Sequence, residues 1–130
     1  MVSAVVDTSA IFALLDADDA HHEAAVQMFE TDDTADLIVH GYVVAESLAL
    51  LRARLGRAAV IEFLDGLLPA LRTAMVERGV HDAALAEYRS LGGGTSFVDR
   101  VTIAFARREG IDRVFGFDAD LEAAGLTQLH

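Results

Sequence analysis

The chain has 130 residues, of which 53% are hydrophobic and 24% charged, so it is long and apolar enough to form one domain with a core. It has no cysteine, and all ten basic residues are arginine, which excludes disulfides, thiolate zinc sites, and P-loop or Schiff-base chemistry that needs lysine. The formal net charge of −11 disfavours binding to phosphates and therefore counts against a nuclease.

Predicted strands and helices alternate along the chain. Short β-branched apolar runs predict strands at 2–6, 37–40, 73–76, 114–117 and 126–129. Apolar residues at helical spacing predict helices at 8–15, 22–29, 42–55, 58–68, 82–91 and 95–109, with a glycine loop at 92–94. Pro69 and Gly110 are expected to end the helices that precede them. The alternation indicates an α/β domain with a mostly parallel sheet of four to five strands.

The first residues do not have the pattern of a signal peptide. They lack a basic n-region and carry Asp7 inside their apolar stretch. No apolar run reaches the roughly 18 residues that a membrane helix needs. We therefore expect a cytoplasmic protein without a membrane partner.

Two aspartates follow predicted strands. Asp7 comes directly after the first strand, and Asp118 comes after the run that ends at Phe117. Parallel sheets place their sites outside the carboxyl ends of the strands, where side chains from neighbouring strands can converge. Each aspartate could instead be a helix or turn cap, and this alternative stays open.

Glu46 lies on the apolar stripe of its predicted helix. Its neighbours three and four positions away are largely apolar, which predicts that the side chain faces inward. A buried carboxylate needs a partner. That partner is either an arginine or a metal ion shared with other acids, and we favour the metal.

Asp99 lies three residues after Ser96, at the start of a predicted helix. This spacing fits a capping box, which could account for both residues. The two interpretations are compatible, because Ser96 can cap the helix while Asp99 binds metal.

Carboxylate oxygens suit the hard cations Mg²⁺ and Mn²⁺. Such ions neutralise phosphate and activate water, which is the chemistry of phosphodiester hydrolysis. Arginines on two stretches could hold the substrate, or could be solvated and paired to surface acids. They are Arg52, Arg54, Arg57, Arg100, Arg107 and Arg108.

These residues occur in the order of a known family. The chain resembles the PIN domain, and within it the VapC-type ribonuclease toxins of bacterial toxin–antitoxin pairs. The resemblance covers nearly the whole chain. It includes VVDTSAIFALL around Asp7, His22, VVAESLALL around Glu46, and TSFVDRVTIAFARREGIDRVFGFDADLEAAGL with Asp99 and Asp118. These acids match the family's four acidic positions.

The resemblance implies a single three-layer α/β/α PIN-like domain over 1–130. It implies a Mg²⁺- or Mn²⁺-dependent endoribonuclease acting on RNA, inhibited by a cognate small antitoxin and frequently homodimeric. It also implies a structural role for His22, a catalytic role for Ser96 in orienting a phosphate or water, and Asp120 as an additional metal contact ranked below the four acids.

Other protein classes fit less well. A haloacid-dehalogenase-type phosphatase needs a second aspartate at position 9, where this chain has Ser9, and a lysine. A response-regulator receiver domain needs a lysine as well. A catalytically silent PIN-like interaction module remains the alternative. It would fold and bind its partner without metal-dependent cleavage, and the complete set of acids argues against it.

Overall fold

The computed structural model describes residues 2–31, 35–91 and 93–129, so Gly92 of the predicted glycine loop lies outside the described residues. The strands are β1 Val2–Val6, β2 Ala35–His40, β3 Arg72–Ala74, β4 Arg113–Phe115 and β5 Thr127–Gln128. The α-helices are α1 Thr8–Leu15, α2 His22–Thr31, α3 Gly41–Arg54, α4 Arg57–Glu62, α5 Arg78–Leu91, α6 Phe97–Glu109 and α7 Ala119–Ala123.

The sheet has the order β3-β2-β1-β4-β5, and every pair of neighbouring strands is parallel. The chain builds the sheet outward from β1 to β3, then returns to place β4 on the other side of β1. The topological switch point therefore lies at the carboxyl ends of the paired strands β1 and β4. The segments that follow the two strands diverge there and leave a crevice.

Helices cover both faces of the sheet, which confirms the predicted three-layer fold. Alternate residues of β1 point to opposite faces. Ala4 and Val6 lie in a core with α1 to α4, where Phe63 is fully buried. Val5 lies in a second core with α5, α6 and α7. Burial on both sides explains why β1 is an almost continuous apolar run.

The structure corrects several predicted boundaries. The helix predicted at 58–68 is an α-helix only to Glu62. It continues as a π-helical turn over Phe63–Leu67 and a 3₁₀ turn over Leu68–Ala70. Pro69 is tolerated because it lies in the first turn of the 3₁₀ segment, where a missing N–H costs no hydrogen bond.

The second half of the chain also differs from the prediction. The helix α5 begins at Arg78 and not at residue 82, because Val80 is buried against α6 and outweighs the low helix propensity of Gly79. The strand β4 ends at Phe115, two residues early. The expected turn after Asp118 is the short helix α7. No helix in the described ranges has the length and apolar character to cross a membrane.

Candidate active site

Asp7 lies at the carboxyl end of β1, and its side chain is held from the α1 side. The carboxylate accepts hydrogen bonds from the Ser9 backbone N–H (3.2 Å) and the Ser9 hydroxyl (2.5 Å), so it does cap α1. The Ser9 Oγ accepts in turn from the Phe117 N–H (2.9 Å). Gly116 permits this approach of the two chain segments, because a Cβ there would lie 2.7 Å from the Asp7 Cβ.

Asp118 lies in the segment between β4 and α7, on the other side of the switch point. Its carboxylate caps α7 by accepting from the Asp120 N–H (2.8 Å). Asp118 is half-buried and Asp120 is exposed. The two side chains therefore belong to one short turn, which fixes the spacing between them.

Asp99 projects from the first turn of α6, whose N-cap is Ser96. The Ser96 Oγ accepts from the Asp99 N–H (3.1 Å), as expected for a capping box. The reciprocal half is not seen in the described part of the chain. The Asp99 carboxyl instead lies close to the Asp118 carboxyl, with one oxygen of each within 4.8 Å of the other. The capping function thus uses the backbone of Asp99 and leaves its carboxyl facing other acids.

Glu46 reaches the same region from α3. The N-cap of this helix is His40, whose Nδ1 accepts hydrogen bonds from the Tyr42 and Val43 N–H groups (3.2 and 3.4 Å). Because Nδ1 is an acceptor, the His40 Nε2 carries the proton and donates to the Thr102 Oγ1 (2.8 Å). This bond joins the start of α3 to α6 and so helps to align Glu46 with Asp99.

One cleft of about 420 Å³ receives all five residues predicted for the site. Its lining residues are Asp7, Thr8, Ser9, Phe12, Asp19, His21, Glu46, Leu50, Arg54, Ser96, Asp99 and Asp118. Asp7, Glu46, Ser96, Asp99 and Asp118 are thus brought together from four separate segments. None of the four ion pairs among the described residues involves any of these acids. The predicted arginine alternative for Glu46 is therefore not observed.

The pKa values of Asp99 and Asp7 are raised in this crowded cleft. Burial is the largest cause that raises the pKa of Asp99, and together with the negative charges of Asp7, Asp118 and Glu46 it brings that pKa to about 7. Burial also raises the pKa of Asp7, although the hydrogen bonds from Ser9 oppose that increase. A cluster that resists ionisation in this way favours a cation, because positive charge removes the repulsion.

The tightest group of acidic oxygens includes a residue that was ranked low. Asp99, Asp118 and Asp120 can each offer one carboxylate oxygen such that the three lie within 4.8 Å of one another. Asp7 and Glu46 line the same cleft but do not join a group of this spacing. The only sequence signal for Asp120 was its position two residues after Asp118.

Two polar groups escaped prediction. The Thr8 Oγ1 is buried beside the cleft and has no hydrogen-bond partner among the described residues. His40 was predicted only as a strand residue, although it caps α3. The predicted structural role of His22 is consistent with its Nδ1 bonding to the Ala13 carbonyl (2.6 Å), which ties α2 to α1.

The arginines divide into three groups. Arg107 and Arg108 pair with Glu87 and Glu77, so they match the surface alternative. Arg54 lines the cleft, with its guanidinium 5.6 Å from the centre of the Phe12 ring. Positive charge is thus available at the cleft wall from Arg54.

The third group of arginines is absent from the lining of the acidic cleft. Arg52 and Arg57 line a separate cavity of about 550 Å³. The Nε of half-buried Arg100 has no partner within the described ranges. These three side chains are not committed to the four ion pairs of the described residues.

Residues 4–126 match the PIN domain family. The 23S rRNA-specific endonuclease VapC20 of Mycobacterium tuberculosis is 30% identical over 131 aligned positions that cover 95% of both chains. The chain therefore belongs to the PIN-domain family. Its predicted enzyme class, a VapC-type endonuclease of the toxin–antitoxin kind, is likewise confirmed by this relationship.

Solved structures agree with this assignment. The crystal structure of M. tuberculosis VapC20, described as a sarcin–ricin loop cleaving toxin, superposes with a TM-score of 0.87 at 28% identity. It covers 95% of this chain and 96% of that one. VapBC2 from Rickettsia felis, bound to a promoter DNA fragment, gives a TM-score of 0.69 at 11% identity over 98% and 97% of the chains. The second similarity is one of fold alone.

Proposed function

We propose that the chain hydrolyses RNA phosphodiester bonds at a divalent-cation site built from Asp7, Glu46, Asp99 and Asp118, with Asp120 as a further ligand. One observation carries this proposal. Carboxylates from β1, α3, α6 and the β4–α7 segment line a single cleft, and none of them forms an ion pair with a basic side chain in the described ranges. The family match over 4–126 supports treating 1–130 as one PIN-like domain.

The donor set fits Mg²⁺ or Mn²⁺. All candidate ligands are carboxylate oxygens, which hard divalent cations prefer. The mutual spacing of Asp99, Asp118 and Asp120 suits one ion. The pKa of Asp99 is raised first by burial and then by the neighbouring negative charges, and a bound ion would offset those charges. When bound, such a cation supplies positive charge that neutralises phosphate and lowers the pKa of a bound water.

The surrounding side chains position the acids and the substrate. Ser9 fixes the orientation of the Asp7 carboxylate. The Ser96 Oγ accepts from the Asp99 N–H, which leaves its own O–H free to donate to a phosphate oxygen or a water, as the resemblance implies. Arg54 adds positive charge at the wall, which helps an acidic protein to hold RNA.

Ribosomal RNA is the substrate class that the relationship favours. The relative that is 30% identical over 95% of both chains is named as specific for 23S rRNA. Its structure is described as that of a toxin that cleaves the sarcin–ricin loop. We propose that this chain also cleaves an exposed rRNA loop.

A cognate antitoxin is the proposed protein partner. The cleft is acidic and the chain carries a net charge of −11, so a basic inhibitor segment would be attracted to it. The fold shared with the VapBC2 complex is consistent with such a partner. We also propose a homodimer, for which the exposed Leu85 and Leu91 on α5 provide apolar surface.

The test is cleavage of purified 23S rRNA and of a labelled sarcin–ricin stem-loop with Mg²⁺, Mn²⁺ or EDTA. The chain is expected to cleave with metal and not with EDTA, and Glu46→Gln is expected to lower the rate by at least 100-fold (about 2.7 kcal/mol). Glu62→Gln, which removes an exposed acid of α4, is the matched control. Equal cleavage by Glu46→Gln would contradict the site. Antitoxin binding without any cleavage would support the silent-module alternative.

A further inference from the structure

The imidazole of His21 forms part of the cleft wall. It stacks on the Phe117 ring with centroids 4.4 Å apart and planes only 5° from parallel. His21 is exposed and lines the cleft, whereas half-buried Phe117 is not among the described lining residues. The imidazole is thus packed on Phe117 by one face, while the residue as a whole stays exposed at the cleft.

Both partners of this stack are held in place. The backbone N–H of His21 donates to the Asp19 Oδ1 (2.8 Å), and the His22 N–H donates to the Asp19 carbonyl (3.0 Å). On the other side, the Phe117 N–H donates to the Ser9 Oγ, and Ser9 in turn holds the Asp7 carboxylate. The ring pair is thus connected to the acidic cluster through Ser9.

Apart from the stacking on Phe117, the His21 ring makes few contacts within the described residues. Its nitrogens have no hydrogen-bond partner within the part of the chain that the structure describes, and the residue is exposed. A fixed, flat aromatic surface beside a phosphodiester-cleaving site is what proteins use to bind unpaired nucleotides. Stacking of one base on such a ring contributes about 1–3 kcal/mol and tolerates any base.

We propose that His21, backed by Phe117, is a stacking platform for one unpaired nucleobase next to the phosphate held at the acids. This inference rests on the proposed function and adds a substrate feature to it, namely a preference for RNA loops over duplex. His21 acts as a substrate-binding residue in this account. Its loss is expected to raise KM and to leave kcat within about threefold, because the ring does not take part in bond cleavage.

The test measures anisotropy of a fluorescein-labelled sarcin–ricin stem-loop in an Asp99→Asn background, which prevents cleavage. His21→Gln is expected to weaken binding about 5- to 150-fold, which corresponds to the loss of one stacked base. His21→Phe restores the ring and is expected to bind within about threefold of the parent. His81→Gln is the matched control, because His81 also contacts an aromatic ring, 5.8 Å from Phe97, but does not line the cleft.

A series of stem-loops with one abasic nucleotide at each loop position identifies the stacked base. One position is expected to weaken binding to the parent and to have no effect on His21→Gln. Binding by His21→Gln within twofold of the parent overturns the platform, as do equal abasic penalties in both proteins. Circular dichroism of each variant checks folding, and His21→Phe with the abasic series tests the platform even if His21→Gln is unstable.

The outcome separates the platform from the proposed function. The unmodified chain can cleave the stem-loop with Mn²⁺ while the abasic series affects the parent and His21→Gln equally. In that case only the platform is wrong. If the chain neither binds nor cleaves RNA, the proposed function fails and the platform fails with it.

Discussion

Replacement of Asp99 by asparagine is expected to stabilise the metal-free protein at pH 8. The pKa of Asp99 is raised from 3.8 to about 7, because the carboxyl is buried and faces Asp7, Asp118 and Glu46. The folded state therefore binds more protons than the unfolded state between these pH values, so stability falls as pH rises through that window. A rise of the pKa from 3.8 to about 7 corresponds to about 4 kcal/mol of the free energy of unfolding at most.

An asparagine avoids this loss because it cannot ionise. It has the shape of the protonated acid, and its amide can donate to Asp118. We expect Asp99→Asn to raise the free energy of unfolding by about 2–4 kcal/mol at pH 8 and to change it by less than about 0.5 kcal/mol at pH 4, where wild-type Asp99 is protonated. In a chain of this size each kcal/mol raises Tm by roughly 3–4 °C.

Urea unfolding in EDTA at pH 4, 6 and 8 measures the effect. Asp65→Asn, which removes an exposed carboxylate outside the cleft, is the control and is expected to change stability by less than about 0.5 kcal/mol. Destabilisation by Asp99→Asn at every pH would refute the reasoning. It would mean that the Asp99 carboxylate stabilises the first turn of α6 and is not destabilised by the neighbouring acids.

Three other substitutions test the supporting structure. Thr8→Val should leave the urea midpoint unchanged or raise the free energy of unfolding by about 1 kcal/mol, since the hydroxyl is buried without a partner among the described residues. A clearly lower urea midpoint would contradict this. Gly116→Ala should lower the free energy of unfolding by about 1–3 kcal/mol and weaken Mn²⁺ binding, because the added Cβ would collide with Asp7. An unchanged urea midpoint would exclude this clash. Burial lowers the pKa of His40 to about 4, so His40 by itself should remove up to about 3 kcal/mol of stability between pH 6.5 and 4, a contribution opposite in sign to that of Asp99. His40→Asn should keep the cap without this loss, and equal pH slopes of urea unfolding would contradict the burial argument.

The sequence predicts the parts of the site that depend on local pattern. Asp7 was found because a β-branched run ends there, and parallel sheets place sites at that edge. Glu46 was found because a carboxylate on an apolar helical stripe is costly unless it has a partner. Both signals can be read within a few residues of the acid itself.

The remaining parts depend on contacts between distant segments. His40 looks like a strand residue, and only the packing of Thr102, 62 positions away, shows that it links α3 to α6. His21 is one of two adjacent histidines, and its stacking on Phe117 could not be anticipated from either segment. Asp120 is exposed and gave no burial signal, so its proximity to Asp99 needed coordinates.

Calorimetric titration with Mn²⁺ tests the central claim most directly. The account predicts one saturable heat signal for the unmodified chain at pH 7.5, and its loss in both Asp7→Asn and Asp99→Asn, although circular dichroism shows both variants folded. Mn²⁺ binding of equal affinity in all three proteins would contradict a shared cation site at this cleft.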